Sequence, residues 1–152
     1  MFQEFKKYVK GYDDNSKTKH SIYVTSGEDI EKVEKTILIP YELKLFYSEL
    51  GYGFFHRDIG ASYRILGPYN FEQINVKKDF YEFDPALEIY DTLYHGNKLL
   101  FFEIVEGTYL AIDKEDSNGK NAIYYFDQKI ADSLEEFLLK FDLNPNLINE
   151  IE

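Results

Sequence analysis

The chain contains no cysteine and no tryptophan among its 152 residues. The lack of cysteine excludes disulfides, thiol nucleophiles and metal sites built from thiolates. One domain of this length can bury enough surface to be stable without such crosslinks, so we expect a single domain over residues 1–152. No apolar run approaches the ~18 residues of a membrane span, and the first ten residues lack the apolar core of a signal peptide. These absences predict a cytoplasmic protein without a membrane segment.

Positive charge is also scarce. The formal net charge is −11, from 17 basic and 28 acidic residues, and the only arginines are Arg57 and Arg64. This balance repels phosphate backbones, and the guanidinium groups that bind phosphate through two nitrogens are nearly missing. We therefore expect no direct binding of DNA or RNA.

Acidic and aromatic residues are abundant instead. Residues 79–116 hold ten acids and two lysines, whereas residues 1–20 hold three acids and five lysines. The chain also has 14 tyrosines and 13 phenylalanines. Phenylalanine mostly fills cores, but tyrosine is enriched at protein interfaces because its ring is apolar and its hydroxyl is polar. The acidic segment either provides solubility or, together with its tyrosines, forms a face that attracts a basic protein.

Helices are predicted in the first third of the chain. Ser26 can cap a helix over residues 28–36, where apolar side chains recur at helical spacing. Pro40 suits the first position of a second helix, which Gly51 ends. The apolar stripe within residues 2–9 is consistent with another short helix.

The rest of the chain has a different pattern. A strand is predicted over residues 63–66, and residues 69–94 show no clean period, so we expect them to include the longest irregular stretch. Apolar alternation and two glycine-containing turns within residues 99–126 predict two consecutive hairpins. Ser133 and Glu136 form a capping box that begins a closing helix.

This order of elements predicts an α+β fold. It consists of an antiparallel C-terminal meander packed with N-terminal helices and a closing C-terminal helix. Helices and strands do not alternate, which disfavours a doubly wound parallel sheet. A short final helix is expected over residues 145–151.

No segment has an enzyme signature. Gly51-Tyr52-Gly53 begins like a dinucleotide-binding motif, but His56 replaces the third glycine and a helix precedes it. The three histidines stand far apart without metal-binding spacing, so we interpret them as surface or packed imidazoles. Carboxylate pairs such as Glu82 and Asp84 are useful in catalysis only within a cleft. We predict no catalytic residue, no metal site and no cofactor.

Two segments combine turns with aromatic residues and leave alternatives open. In residues 51–55, the glycines turn the chain while two phenylalanines enter the core, or Tyr52 is an exposed binding anchor. In residues 79–85, the phenylalanines pin a solvated loop, or the segment belongs to a contact surface for a basic partner.

In their order and spacing, the helix starts, glycine turns and strands described above resemble the SUKH superfamily. The similar segments are residues 30–34, 39–47, 51–53, 64–68, 106–113, 118–119, 123–126 and 131–138. This superfamily contains many bacterial toxin-immunity proteins and is related to a fungal regulator of cell-wall synthesis. It shares no catalytic residues, so the resemblance implies a fold rather than a reaction.

The resemblance implies an immunity protein that binds a cognate toxin domain and neutralises it by occlusion. The acidic segment favours a basic toxin, for example a nuclease, and tyrosines would supply its anchors. The expected contact residues are Tyr52, Asp58, Tyr81, Glu82, Asp84, Glu88, Tyr90, Asp91 and Tyr94. One alternative is a non-catalytic regulatory or scaffold module that binds an endogenous protein. Another is an enzyme that uses carboxylates such as Glu82 and Asp84 in a cleft.

Overall fold

The structure is a computed structural model that describes residues 1–14 and 16–151. Its central element is one sheet. Within these residues, eight strands lie side by side in chain order. The first two strands are parallel, and every later neighbouring pair is antiparallel. The strands are β1 (Val9–Lys10), β2 (Ser21–Tyr23), β3 (Tyr52–Phe55), β4 (Tyr63–Ile65), β5 (Lys98–Val105), β6 (Thr108–Asp113), β7 (Ile123–Tyr125) and β8 (Gln128–Ala131).

Helices precede, interrupt and follow the sheet. The α-helices are α1 (Gly27–Glu34), α2 (Tyr41–Glu49), α3 (Pro68–Val76), α4 (Glu88–Tyr94) and α5 (Leu134–Leu143). Short 3-10 helices cover Gln3–Tyr8, Arg57–Ile59, Asp79–Tyr81 and Pro85–Leu87. The predicted α+β class is thus confirmed, with its C-terminal meander, N-terminal helices and closing helix. None of the described helices is long and apolar enough to cross a membrane.

The predicted helix caps form as expected. The hydroxyl oxygen of Ser26 accepts a hydrogen bond from the backbone N–H of Asp29 at 3.1 Å, which begins α1. At α5, the Ser133 hydroxyl accepts from the N–H of Glu136 at 3.0 Å. The Glu136 carboxylate in turn accepts from the N–H of Asp132 at 2.9 Å. Side chains thus satisfy N–H groups that a helix start leaves without an intrahelical partner.

The expectation of a largely irregular segment over residues 69–94 is wrong, because α3 and α4 occupy most of it. The helical period of α3 is obscured because Glu72 is buried beside Phe71. Glu72 forms an ion pair with Lys78, so a charged residue occupies a position where an apolar one is expected. The side-chain amide of Asn75 donates to the carbonyl of Leu100 and accepts from its N–H, both at 2.9 Å. This pair of bonds attaches α3 to β5 where β4 has ended.

Short elements account for the other differences. Residues 51–55 include the strand β3 rather than only a turn, and β1, β2 and β8 were not anticipated, because strands of two to four residues show little alternation. The N-terminal stripe forms a 3-10 helix followed by β1 rather than one helix. The expected final helix over residues 145–151 is also wrong, since turns occupy it. Seven residues rarely form an isolated helix because nucleation is costly.

One face of the sheet is buried in the core. Cross-strand pairing places Gly53, Ile65 and Phe102 in one row, and α5 covers it. The Phe102 ring meets the rings of Phe137 and Phe141 edge-on, with centroids 5.6 and 5.7 Å apart. Gly53 is required because a Cβ there would lie 2.0 Å from a backbone oxygen of β2. The tight approach of β3 to β2 therefore depends on a residue without a side chain.

Over part of β2 to β5, the opposite face of the sheet is only half-buried. Because side chains alternate along a strand, Phe54, Arg64 and Glu103 form the neighbouring row on this side. All three side chains retain partial exposure, as do Tyr23 and Tyr52 in the same face. We call this surface of β2 to β5 the open face.

A buried carboxylate joins the start of α2 to the start of α5. Glu42 is 1% exposed. Its carboxylate accepts hydrogen bonds from the backbone N–H groups of Asn121, Leu134 and Glu135, and its own N–H donates to the Asn121 side chain. Negative charge at the N-terminus of α5 is favourable because the helix dipole is positive there.

Glu42→Ala is expected to lower the free energy of unfolding by about 3 kcal/mol or more, because several buried donors lose their acceptor. Urea unfolding followed by circular dichroism measures this change. Glu31→Ala, which removes an exposed carboxylate from α1, should change stability by no more than about 0.5 kcal/mol. Equal effects of the two substitutions would contradict the role of Glu42.

Two histidines form a second buried polar cluster. His20 and His56 are 0% and 1% exposed, and their rings meet edge-on with centroids 4.8 Å apart. The Nδ1 atom of His20 accepts from the N–H of His56, so its Nε2 donates to Asp142 at 2.7 Å. The Nε2 atom of His56 donates to the carbonyl of Phe141. The interpretation of these two residues as packed imidazoles is confirmed.

Titration of this cluster links stability to pH. Burial lowers the pKa of both His20 and His56 below the ordinary 6.5. The unfolded chain therefore binds protons below about pH 6.5 that the folded protein does not bind. Stability is complete above this pH and falls as the pH drops toward the folded-state pKa values. We expect a lower urea midpoint at pH 5.5 than at pH 7.5.

His56→Gln should reduce this pH dependence, whereas His95→Gln, at an exposed position, should preserve it. A wild-type urea midpoint that stays constant over this interval would contradict the assignment of neutral, buried imidazoles.

Candidate protein-binding site

A cleft of about 740 Å³ opens beside the half-buried row of the sheet. It lies between residues 79–86 and the hairpin of β5 and β6, and Arg64 of β4 contributes to its wall. Gly107 turns this hairpin at φ 85°, and a Cβ there would lie 3.6 Å from that of Ala86. We call this cleft between residues 79–86 and the β5–β6 hairpin the acidic cleft. Its lining residues are Arg64, Asp79, Phe80, Tyr81, Phe83, Asp84, Ala86, Glu103, Glu106, Gly107 and Tyr109.

Successive tight turns divide the aromatic residues of the cleft between core and solvent. Tyr81 is 6% exposed, whereas Phe80 and Phe83 are 77% and 87% exposed. A 3-10 turn has three residues, so side chains three apart lie on one side. Tyr81 and Asp84 therefore lie on the protein side, and the two phenylalanines lie on the solvent side. Asp84 accepts from the N–H of Ala86 at 3.0 Å and caps the next 3-10 helix.

Carboxylates dominate the charge of the acidic cleft. The Nε atom of Arg64 donates to the Glu103 carboxylate at 2.8 Å, so these two charges largely compensate. Asp79, Asp84 and Glu106 add three further carboxylates to the lining. A concave surface lined by one sign of charge concentrates its field, so the cleft attracts cationic groups. Its aromatic rings also suit guanidinium and ammonium groups.

Two residues that line the cleft, Tyr81 and Tyr109, are neutral phenols, and Tyr90 contacts Tyr109 from outside the cleft. The hydroxyl oxygen of Tyr90 accepts from the N–H of Tyr109 at 2.9 Å. Burial raises the pKa of Tyr81, Tyr90 and Tyr109 above the ordinary value of 10. These hydroxyls therefore stay protonated at neutral pH and add no negative charge beneath the carboxylates.

The structure distributes the nine expected contact residues over several surfaces. Tyr81 and Asp84 line the acidic cleft. Outside the cleft, Glu82 and Glu88 are exposed. A separate hollow of about 210 Å³ is lined by Tyr90, Asp91 and Tyr94. Two further hollows, nearer the N-terminus, are lined by Tyr52 and by Asp58. Their role as a shared contact face stays a prediction, but the fold brings only part of the set together.

Three of the expected tyrosine anchors are buried. Tyr81, Tyr90 and Tyr94 are 4–7% exposed, and the Tyr94 hydroxyl donates to the carbonyl of Phe126 at 3.0 Å. These three rings therefore belong to the core rather than to the exposed surface, and their role as partner contacts stays a prediction. The interpretation that Phe80 and Phe83 pin the loop is wrong because both rings are mostly exposed to solvent.

Sequence reasoning missed several residues of the acidic cleft. Phe80 and Phe83 are not among the expected contact residues, although a contact surface over residues 79–85 is one of the two alternatives, and Arg64, Glu103 and Glu106 are not among them either. The three-residue spacing of the two phenylalanines was an available signal for a shared side of 3-10 turns. Within the described residues, no group of three or more His, Asp or Glu side chains could hold a metal ion.

The contrast between neighbouring aromatic residues is testable. Tyr81→Ala is expected to lower the free energy of unfolding by about 3 kcal/mol, because it leaves a cavity under the cleft. Phe83→Ala should change it by no more than about 0.5 kcal/mol, because the ring is already in water. Urea unfolding of both variants measures these changes in the free energy of unfolding. A large loss of stability for Phe83→Ala would contradict the exposed placement.

Comparisons with known proteins identify the family. The model of the SMI1/KNR4 family (SUKH-1) matches residues 25–140. The chain is 40% identical over 131 residues to the Immunity protein YxxD of Bacillus subtilis (strain 168), over 85% of this chain and 88% of that protein. No solved structure matched the chain. The match spans more than half of the sequence and confirms the resemblance stated above: the chain belongs to the SMI1/KNR4 family (SUKH-1).

Proposed function

We propose that this protein is an immunity protein that binds a toxin domain and neutralises it by covering its surface. Family membership and the 40% identity to a protein named as an immunity protein support this function. Occlusion requires no catalytic group, which agrees with the lack of any enzyme motif in the sequence. The protein would act in the cytoplasm, where a toxin delivered by a neighbouring cell reaches its target.

Two solvent-exposed phenylalanines at the rim of the acidic cleft are the observation that favours this proposal most. Phe80 and Phe83 are large apolar side chains that are more than three quarters exposed. Covering them with a partner makes the free energy of binding more favourable. Exposed apolar groups beside charged ones are typical of binding surfaces, in which a few buried aromatic anchors provide most of the affinity.

The charge of the cleft favours a basic partner. The net charge of −11 and the carboxylates of the cleft would accelerate association with a positively charged toxin, most strongly at low salt. A nuclease is the class of toxin that fits best, because enzymes that bind nucleic acid present basic surfaces to phosphate. The same charge disfavours direct binding of nucleic acid by this protein.

The test is calorimetric titration against a candidate toxin domain, taken as the C-terminal domain of whichever large secreted protein is encoded nearest to this gene. We expect a nanomolar dissociation constant that increases with salt. Lack of binding at micromolar concentrations would contradict the immunity function and favour a regulatory or scaffold module that binds an endogenous protein.

Glu106→Lys tests the acidic cleft itself. Glu106 is exposed in the β5–β6 turn, so its substitution should leave the fold intact. We expect the dissociation constant to rise about tenfold, mainly through slower association at low salt, because a rim charge steers the encounter. Glu31→Lys is the matched control, since it makes the same charge change at a residue outside the described hollows. Stopped-flow kinetics that show equal effects for both variants would exclude the cleft as the contact surface.

A further inference from the structure

Three tyrosines form a cluster at the N-terminal end of the open face. The ring of Tyr12 stacks on that of Tyr23, with centroids 5.0 Å apart and planes 2° from parallel. The hydroxyl groups of Tyr12 and Tyr52 lie 3.0 Å apart and share a hydrogen bond. Tyr12 is 71% exposed. We call these three residues the tyrosine ladder.

The tyrosine ladder lies on the same side of the sheet as the acidic cleft. Tyr23 pairs with Tyr52 across β2 and β3, and Phe54 stands two residues after Tyr52 on the same side of β3. Phe54 in turn pairs with Arg64, which lines the cleft and pairs with Glu103. Arg64 of the cleft wall lies one strand spacing from β3, which carries Tyr52, and Tyr23 on β2 lies three spacings, about 15 Å, from Glu103 on β5. One flat partner surface can span both.

The surroundings of the tyrosine ladder are much less negative than the acidic cleft and contain most of the basic side chains near the open face. A hollow of about 370 Å³ adjoins Tyr12 and Tyr23, and its lining includes three basic side chains and two carboxylates. These are Lys10, Lys17, Arg57, Asp14 and Asp58. The guanidinium of Arg57 lies over the Phe54 ring, 5.1 Å from its centroid. In a chain of net charge −11, the lining of this hollow carries one more positive than negative side chain, and Asp29 in the adjoining hollow beside Tyr12 and Tyr52 balances it.

Tyrosine and arginine are, with tryptophan, enriched among interface anchors, and here both are held by contacts within the protein. Tyr12 stacks on Tyr23, and Arg57 on Phe54, so little side-chain freedom remains to be lost on binding. Two contact points, one acidic and one that presents the Arg57 guanidinium, also fix the orientation of a partner, which a single acidic surface does not.

We infer that the tyrosine ladder and Arg57 form a second contact point for the toxin domain. This contact point binds an acidic patch of the toxin that lies about 15 Å from the toxin's basic patch. This inference rests on the proposed function, since it assumes the same partner. It changes the expected partner from a uniformly basic surface to one that carries both signs of charge along a line.

The two descriptions of the partner predict opposite effects for one substitution. Arg57→Glu makes the protein more negative by two charges. A uniformly basic partner would then associate faster and bind more tightly. A partner with an acidic patch over Arg57 would bind more weakly despite the greater overall negative charge.

The experiment measures binding of the recombinant toxin domain described above by surface plasmon resonance at two salt concentrations. We expect Arg57→Glu to raise the dissociation constant at least tenfold and Tyr12→Ala at least fivefold, the latter through faster dissociation. Lys35→Glu, an equal charge reversal at an exposed residue after α1, should leave binding unchanged or slightly tighter. Thermal melts establish that each variant is folded, and Lys17→Glu repeats the reversal if Arg57→Glu is not.

The outcomes separate this inference from the proposed function. If Arg57→Glu binds as tightly as the wild type or more tightly, the second contact point is excluded, while weakened binding by Glu106→Lys still supports the acidic cleft. If the wild type itself does not bind the toxin domain, the proposed function fails and the inference fails with it. Weakened binding by both Arg57→Glu and Tyr12→Ala, with Lys35→Glu unaffected, supports the second contact point.

Discussion

The carboxylate of Glu42 is buried at the point where α2, the end of the β6–β7 connection and α5 meet. Backbone N–H groups from two of these parts converge on it, and it stands at the N-terminus of α5 where the helix dipole favours negative charge. Because α5 supplies the rings that cover Phe102 and the buried face of the sheet, the position of this helix decides which side of the sheet is closed. The hydrogen bonds of Glu42 thus hold α5 beside α2 and the β6–β7 connection, and the position of α5 determines which face of the sheet is in the core.

Closing one face with α5 leaves the other available for binding. Segments after α3 cover only part of that second face, and buried tyrosines such as Tyr81 and Tyr90 hold them there. Fixing Tyr81 inward on a tight turn directs Phe80 and Phe83 outward. The exposed rings are therefore a consequence of local turn geometry, and their position beside carboxylates and half-buried strands produces a surface with apolar and charged parts.

Local chemistry made much of the fold predictable. Ser26 and Ser133 cap helices through their own neighbours, and the glycine turns of the meander act within a few residues. What the sequence did not reveal depends on distant partners. Glu72 is buried because Lys78 compensates its charge, which obscured α3. Turn geometry places Tyr81 and Phe83 on opposite sides of the segment, but only the sheet beneath it decides which side is buried, and their residue types suggest the reverse. The acidic cleft joins side chains from β4, β5 and β6 with residues 79–86, and no local pattern in the sequence relates them.

Hydrogen–deuterium exchange of the protein, alone and with the toxin domain bound, tests most directly the claim that the open face and the acidic cleft receive the partner. We expect added protection in residues 79–87, in the β5–β6 turn and in β3, with α5 and β8 unchanged. Protection concentrated on α5 and β8, with none in residues 79–87, would contradict the account and place the partner on another surface.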